Sequence, residues 1–252
     1  MKILISNDDG IQAEGLRCLA ARLMEKHDVY VCAPDRQRSG CSHAVTYFLK
    51  DLTAVREEFP GAKGAWSLDG MPADCVYCAV NGLMDAVPDL VISGINEGPN
   101  YSTDCVYSGT VGAASEGIVL GIPSIAVSLA GASFGYEYSA KITEILMERY
   151  INDPSAKNYV LNINIPELRE EEIRGIKVTR FDRMRNYGRR LDVTEENGKI
   201  RLHCPQMTVP VDTDDSLDDG DVRAVEEGYV SVTPLDTDLV LHSQIELLHW
   251  VK

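Results

Sequence analysis

The sequence lacks any apolar run that could cross a membrane. None of the apolar segments in its 252 residues approaches the roughly 20 residues that a spanning helix needs. Met1 and Lys2 lead directly into a predicted strand, which leaves no room for a cleaved leader peptide. We therefore expect a cytoplasmic protein with no membrane partner.

Positive charge is also scarce. The chain has 24 Lys and Arg against 39 Asp and Glu, which gives a formal net charge of −15. Surfaces that bind nucleic acids need clustered Lys and Arg, so we expect no nucleic-acid polymer as a partner. A small phosphorylated ligand in a local pocket remains compatible with this charge.

Two familiar signatures are missing. The first strand is not followed by Gly-x-Gly-x-x-Gly, so a dinucleotide cofactor is not expected. Cys75 and Cys78 have the spacing of a zinc or redox pair, but a second pair is absent, which excludes a four-cysteine zinc site. An odd total of seven cysteines is typical of free thiols in a reducing compartment.

The pattern that is present favours an α/β fold. A short apolar run at residues 2–6, a helical periodicity over 13–26 and a second apolar run at 28–33 form a strand–helix–strand unit. Further strands are predicted at 44–49, 65–69, 89–93, 123–130, 159–165, 176–181 and 229–233. We predict a Rossmann-like, doubly wound and mostly parallel sheet.

The first predicted strand ends in Asn7-Asp8-Asp9-Gly10. Ligands of open α/β sheets bind beyond the carboxyl ends of the strands, which is where these acids fall. Two adjacent carboxylates repel each other, so a hard divalent cation such as Mg²⁺ or Mn²⁺ is a natural partner. The same residues are also typical of a plain Asp-Gly turn without a ligand.

Two later loops follow other predicted strands. The loop at 34–43 could bring the hydroxyl of Ser39 towards Asp8 and Asp9, although it also reads as an ordinary polar surface loop. Asn96 could supply an amide oxygen to a metal or an amide N–H to a phosphate. Ser108-Gly109-Thr110 precedes a small-residue helix, and it suits either a phosphate cradle or a helix N-cap without a ligand.

The C-terminal part has a different character. Residues 190–204 predict a β-hairpin that turns at Asn197-Gly198, and its polar flanks suggest that it projects from the core. We treat residues 1–252 as a single domain. Within it, 1–165 form the core, and 186–252 contain the hairpin and a C-terminal oligomerisation segment.

Six groups of residues, in this order, resemble the SurE family of metal-dependent nucleotidases. They are Asn7-Asp8-Asp9-Gly10, Ala33-Pro34-Asp35-Arg36 with Ser39-Gly40, Gly70 with Pro72-Ala73-Asp74-Cys75, Ser93-Gly94-Ile95-Asn96 with Gly98 and Asn100, the run 107–114 and the run 228–235. The resemblance spans nearly the whole chain. It implies hydrolysis of nucleoside 5′-monophosphates, and of 3′-monophosphates and short polyphosphate as further substrates.

The resemblance also implies roles for particular residues. One divalent metal, Mg²⁺ or Mn²⁺, is expected in each subunit on Asp8, Asp9, Ser39 and Asn96. Asp8 and Asp9 are the expected catalytic residues. The substrate phosphate is expected on Asn7, Asn96, Ser108, Gly109 and Thr110. Family members exchange C-terminal segments, so a homodimer or homotetramer is expected.

Two positions depart from the family pattern. Met71 stands where Thr is usual, and Ser102 stands where Gly is usual.

We expect direct attack by water, with an aspartyl-phosphate intermediate as the rival mechanism. A haloacid-dehalogenase-type phosphatase would need Asp at positions i and i+2, but Gly10 follows the acidic pair. A non-catalytic regulatory protein with the same metal and nucleotide pocket is the other alternative.

Overall fold

The computed structural model describes residues 1–131, 134–182, 191–203 and 218–238. At the centre of the fold, these residues form a sheet of nine strands: β1 (Lys2–Ser6), β2 (Asp28–Pro34), β3 (Ala54–Arg56), β4 (Gly64–Leu68), β5 (Leu90–Glu97), β6 (Ser124–Ala130), β7 (Val160–Pro166), β8 (Gly175–Val178) and β11 (Tyr229–Leu235). Their order in the sheet is β3-β4-β2-β1-β5-β6-β7-β11-β8. The helices of the described ranges are α1 (Glu14–Met24), α2 (Pro72–Cys78), α3 (Asp104–Tyr107), α4 (Gly109–Val119), α5 (Tyr136–Tyr150) and α6 (Asp221–Glu226).

The sheet is mostly parallel, as predicted. Strand β1 pairs in parallel with β2 on one side and with β5 on the other. Among the described strands of this sheet, only the β3–β4 and β7–β11 pairs are antiparallel. The chain crosses from one side of β1 to the other between β4 and β5, so a crevice is expected beyond the carboxyl ends of β1 and β5.

Helices cover both faces of the sheet, which confirms the doubly wound arrangement. Ile3 and Ile5 of β1 belong to the hydrophobic cluster that includes α1 and α5. Leu4, the residue between them, belongs to the opposite cluster, which includes α2 and Ala113 of α4. This alternation follows from the two-residue period of a strand, and it explains why the three consecutive residues Ile3, Leu4 and Ile5 of β1 are all apolar.

The prediction of a strand at residues 44–49 is wrong. This segment forms turns, and the edge strand is β3, which lies further along the chain and pairs antiparallel with β4. The carboxylate of Asp74 accepts hydrogen bonds from the backbone N–H groups of Thr46 (2.8 Å) and Tyr47 (3.2 Å). Because these donors are directed at one side chain, they are not available to a neighbouring strand.

The predicted hairpin is present as strands β9 (Asp192–Glu196) and β10 (Lys199–His203), which form a separate antiparallel pair. Its turn places Asn197 at φ 51° and Gly198 at φ 69°, the left-handed conformation that this sequence favours. The ends of the predicted hairpin at 190 and 204, and the segment 239–252, lie outside the described residues. The oligomerisation role of 186–252 therefore stays a prediction.

Two further expectations concern membrane segments and cysteines. Among the helices of the described ranges, none is long and apolar enough to span a bilayer. The described cysteines Cys18, Cys32, Cys41, Cys75, Cys78 and Cys105 are free thiols. Cys75 and Cys32 are fully buried, which agrees with a structural role.

Candidate functional site

A polar cavity of about 220 Å³ lies at the carboxyl edge of the sheet. Asp8 from the end of β1, Ser39 from the loop after β2, Asn96 from β5 and Ser108 before α4 all line it. Asp9 lies beside this cavity, where its Oδ2 accepts a hydrogen bond of 3.2 Å from the backbone N–H of Glu97. The structure thus brings the four predicted metal ligands to one edge.

Asp8 is buried and is held by the beginning of α4. Its Oδ1 accepts a 2.5 Å hydrogen bond from the Thr110 hydroxyl, and the backbone N–H groups of Gly109 and Thr110 also donate to its carboxylate. A Cβ at position 109 would lie 2.8 Å from the Asp8 Cβ, so only glycine lets the helix approach this closely. Burial raises the pKa of Asp8 above its usual range, and these hydrogen bonds oppose that rise.

Asp9 is more accessible than Asp8, but the ionised form of its carboxyl group is also disfavoured. Burial and the neighbouring negative charge of Asp8 raise the pKa of Asp9 to about 6. Two carboxylates that both resist ionisation are stabilised by a nearby cation, because the cation offsets their desolvation and their repulsion. The pair therefore forms an anionic centre that fits a bound divalent metal.

Asn96 points its amide oxygen towards the Thr110 hydroxyl, which also contacts Asp8. Its Nδ2 donates to the carbonyl oxygens of Glu97 (3.2 Å) and Gly98 (2.7 Å). Its Oδ1 consequently lies 3.2 Å from the Thr110 hydroxyl oxygen, which also contacts Asp8. The pairing of β5 with β6 shifts register between Ser93 and Asn96, and such an irregularity re-aims side chains at the end of a strand.

The donor set matches the chemistry of a hard cation. It combines the carboxylates of Asp8 and Asp9, the Ser39 hydroxyl and the Asn96 amide oxygen, which are the oxygen donors that Mg²⁺ and Mn²⁺ accept. Within the described part of the chain, no three His, Cys, Asp or Glu side chains cluster as a metal site. A set with only two carboxylates suits a cation that keeps water and substrate in its other positions.

The predicted phosphate ligands differ in the partners that their side chains and backbone N–H groups contact. The Asn7 amide both donates to the Gly10 carbonyl and accepts from the Gly10 N–H, each at 3.1 Å, so it shapes the turn. Ser108 is the N-cap of α4, since its Oγ accepts from the Val111 N–H at 3.1 Å, and it also lines the cavity. The N–H groups of Gly109 and Thr110 are directed at Asp8, not at open space.

Sequence reasoning missed a buried asparagine network behind the cavity. Asn100 lines the cavity, and its backbone N–H donates to Asn164 Oδ1 while its Nδ2 donates to Ser128 Oγ, both at 2.8 Å. Its carbonyl oxygen accepts from Asn162 Nδ2 at 2.9 Å. The signal was available, because Asn162 and Asn164 alternate with apolar residues in β7 and so share one face.

The two departures from the family pattern have local explanations. Ser102 has φ 50°, a left-handed conformation that glycine adopts easily, and its backbone N–H donates to Asp221 Oδ2 at 2.7 Å. Met71 precedes α2 and offers no hydroxyl cap, but the Asp74 carboxylate accepts the Met71 N–H at 2.8 Å. Neither departure removes a predicted metal ligand.

An oxygen-rich acidic cavity at the strand-order reversal of a doubly wound sheet defines this chain as a Rossmann-like α/β protein, and the donors at that cavity fit a hard cation. Residues 3–188 match the family described as Survival protein SurE. Relatives align over nearly the full length at well above 30% identity. The chain belongs to the SurE family.

Named relatives support this assignment. The chain is 45% identical to 5′-nucleotidase SurE of Pelotomaculum thermopropionicum, over 98% of this chain and 94% of that protein. It is 43% identical to 5′/3′-nucleotidase SurE of Cronobacter sakazakii, over 100% and 97% of the two chains. The crystal structure of the SurE protein from Aquifex aeolicus covers 100% of this chain, with a TM-score of 0.83 and 37% identity.

Proposed function

We propose that this protein is a metal-dependent nucleotidase that hydrolyses nucleoside 5′-monophosphates to nucleoside and inorganic phosphate. The observation that carries the proposal is the Asp8–Asp9 pair at the cavity that Asn96 also lines, beside the N-terminus of α4. The relatives named as 5′-nucleotidases align with the whole chain, which supports the same activity. Hydrolysis of 3′-monophosphates and of short polyphosphate belongs to the proposal as a secondary activity.

Asp8, Asp9, Ser39 and Asn96 would hold one divalent cation per subunit, either Mg²⁺ or Mn²⁺. Such a cation supplies positive charge that neutralises phosphoryl oxygens and lowers the pKa of bound water. The chain contributes the rest of the environment. Ser108 uses one lone pair of its hydroxyl for the Val111 N–H, so its own O–H proton is able to donate to a phosphoryl oxygen.

The surroundings of the two acids favour direct attack by water over an aspartyl-phosphate intermediate. Asp8 is held by the Thr110 hydroxyl and by backbone N–H groups, which reduces the nucleophilicity of its carboxylate. Asp9 is more accessible, because it is only partly buried. We assign Asp9 as the group that accepts the proton from the attacking water.

A phosphate-release screen tests the activity. Purified protein is assayed with 5′- and 3′-monophosphates of each base and with tripolyphosphate, in Mn²⁺, Mg²⁺ or EDTA. We expect turnover that requires metal and that Asp8→Ala reduces by at least about 1,000-fold, since it removes a metal ligand from the reacting centre. Asp28→Asn is the matched control, because Asp28 is an exposed acid at the opposite end of a neighbouring strand.

Two outcomes of this screen favour the alternatives. Nucleotide binding without turnover in any metal would support a non-catalytic regulatory protein. Unchanged activity in Asp8→Ala would contradict the metal-site assignment. The haloacid-dehalogenase alternative finds no support at position 10, because Gly10 has φ 100° and a Cβ there would lie 3.2 Å from the backbone of Arg36.

We also propose that the chain forms a homo-oligomer through the β9–β10 hairpin. Val193 and Leu202 are cross-strand partners on one face of the hairpin, and their exposed fractions are 62% and 63%. Ile200 lies on the same face and is also exposed. An isolated two-stranded hairpin is marginally stable in water, so a partner subunit that covers this face would stabilise it.

A further inference from the structure

The loop that carries Ser39 is anchored at both of its ends. We call residues 38–43 the Ser39 loop. At its beginning the Arg38 N–H donates to the Asp8 carbonyl at 2.7 Å. Near its end, Ser42 donates from its backbone N–H to the Tyr107 carbonyl (2.8 Å) and from its hydroxyl to the Val106 carbonyl (2.7 Å). Ser39 lies between these anchors, so its position depends on both.

The end of the loop lies directly on helix α4. A Cβ built on Gly112 would be 2.4 Å from the Ser42 carbonyl oxygen and 3.0 Å from the His43 Cα. The absence of a side chain at position 112 therefore lets the loop backbone contact the helix. One turn further along α4, Glu116 Oε2 lies 2.8 Å from Nε2 of His43.

Glu116 is an unusual residue for its surroundings. It is only 5% exposed, and it lies on a helix whose other buried residues are small or apolar. A buried carboxylate is costly unless a partner compensates it, and the partner in contact with Glu116 is the His43 imidazole. The pair joins the last residue of the Ser39 loop to the helix whose first turn holds Asp8.

We propose that His43 and Glu116 form a latch that fixes the Ser39 loop on α4 and thereby sets the affinity of the site for its divalent cation. Both are positioning residues, because neither lies in the cavity that Asp8 and Asn96 line. The latch rests on the metal site of the proposed function. It goes beyond that proposal by assigning control of metal affinity to a pair outside the ligand set.

Glu144 provides a matched control for a purely structural role. It is 4% exposed, lies on α5 and accepts hydrogen bonds from Arg22 Nε of α1 (2.7 Å) and from Lys26 Nζ just after that helix (2.8 Å). It therefore resembles Glu116 in burial and in having basic partners. It differs in packing on the opposite face of the sheet, away from the Ser39 loop.

The test measures Mn²⁺ binding to the full-length protein by the electron paramagnetic resonance signal of free Mn²⁺, with urea unfolding of each variant in parallel. We expect His43→Ala and Glu116→Gln to weaken Mn²⁺ binding about tenfold, the lower end of the range for residues that support metal ligands. His43→Gln keeps an N–H donor for Glu116 and should recover most of the affinity. Glu144→Gln should lower stability and leave Mn²⁺ affinity unchanged.

The outcomes separate the latch from the metal site itself. If Mn²⁺ binds the wild type and is lost in Asp8→Asn, but His43→Ala binds it as tightly as the wild type, the latch is refuted and the metal site stands. If the wild type does not bind Mn²⁺, both proposals fail. Should Glu116→Gln not fold, His43→Ala still decides, because His43 is a surface residue with a side chain that is 38% exposed.

Discussion

Replacing Asp9 with asparagine should stabilise the metal-free protein at neutral pH. The pKa of Asp9 in the folded chain is raised from 3.8 to about 6, so the folded state holds this proton more tightly than the unfolded state. The free energy of unfolding therefore falls as the pH rises from about 4 to about 6, and it stays reduced above that range. The Asn side chain removes this penalty and keeps an oxygen for the Glu97 N–H.

The size of the expected stabilisation follows from the shift in the pKa of Asp9. About two pKa units correspond to about 3 kcal/mol. Because Asp9 is partly exposed, solvent screening reduces the expected gain to about 1–2 kcal/mol. The gain should disappear below about pH 4, where both states carry the proton.

Urea unfolding in EDTA at pH 7.5 and pH 4 measures this difference directly. A second series in Mn²⁺ at about 100 times its dissociation constant should reverse the order of the two proteins, because saturation at that level adds about 2.7 kcal/mol to a protein that binds the cation. If Asp9→Asn is less stable than the wild type in EDTA at pH 7.5, the assignment of Asp9 as an electrostatically strained acid is refuted.

Three further predictions concern single contacts. Asp74→Ala should lower the free energy of unfolding by about 1–3 kcal/mol in urea titrations, because it leaves partly buried donors of Thr46 and Met71 without an acceptor; a loss below 1 kcal/mol would contradict this. Thr110→Val should weaken Mn²⁺ binding about tenfold by removing the hydroxyl that donates to Asp8, whereas Thr110→Ser should retain it; equal affinities in calorimetry would exclude this role. The double variant Val193→Ser, Leu202→Ser should lower the molar mass measured by light scattering and leave the subunit fold intact, since both side chains are exposed; an unchanged mass would place the interface elsewhere.

Local patterns in the sequence were sufficient to predict most of the fold. Strand β1, helix α1 and strand β2 follow from apolar periodicity, and the β9–β10 turn follows from Asn197-Gly198. The position of the acidic pair at a sheet edge also follows, because parallel strands joined by helices all end on the same side. These features depend on neighbours within a few residues or on a general rule of topology.

The segment at 44–49 shows where a local pattern misleads. A strand is predicted there, but the segment forms turns, and the side chains of Phe48 and Leu49 are exposed. The competing interaction comes from Asp74, which lies 27 or more residues away in the chain. Its carboxylate accepts hydrogen bonds from the backbone N–H groups of Thr46 and Tyr47. A hydrophobic pattern carries no information about such a distant acceptor.

The candidate site also combines features that the sequence predicts with features that only the structure shows. The sequence, together with its resemblance to a family, was enough to indicate that Asp8, Asp9, Ser39 and Asn96 lie near one edge of the sheet, and their role as metal ligands stays a prediction. Only the tertiary structure decided which partner each group takes: Thr110 donates to Asp8 across 102 residues, and the Asn96 amide is oriented by two carbonyl oxygens. The physical reason is that a hydrogen bond depends on distances of a few tenths of an ångström and on direction. Those quantities are set by the packing of whole elements, to which residues far apart in the chain contribute together.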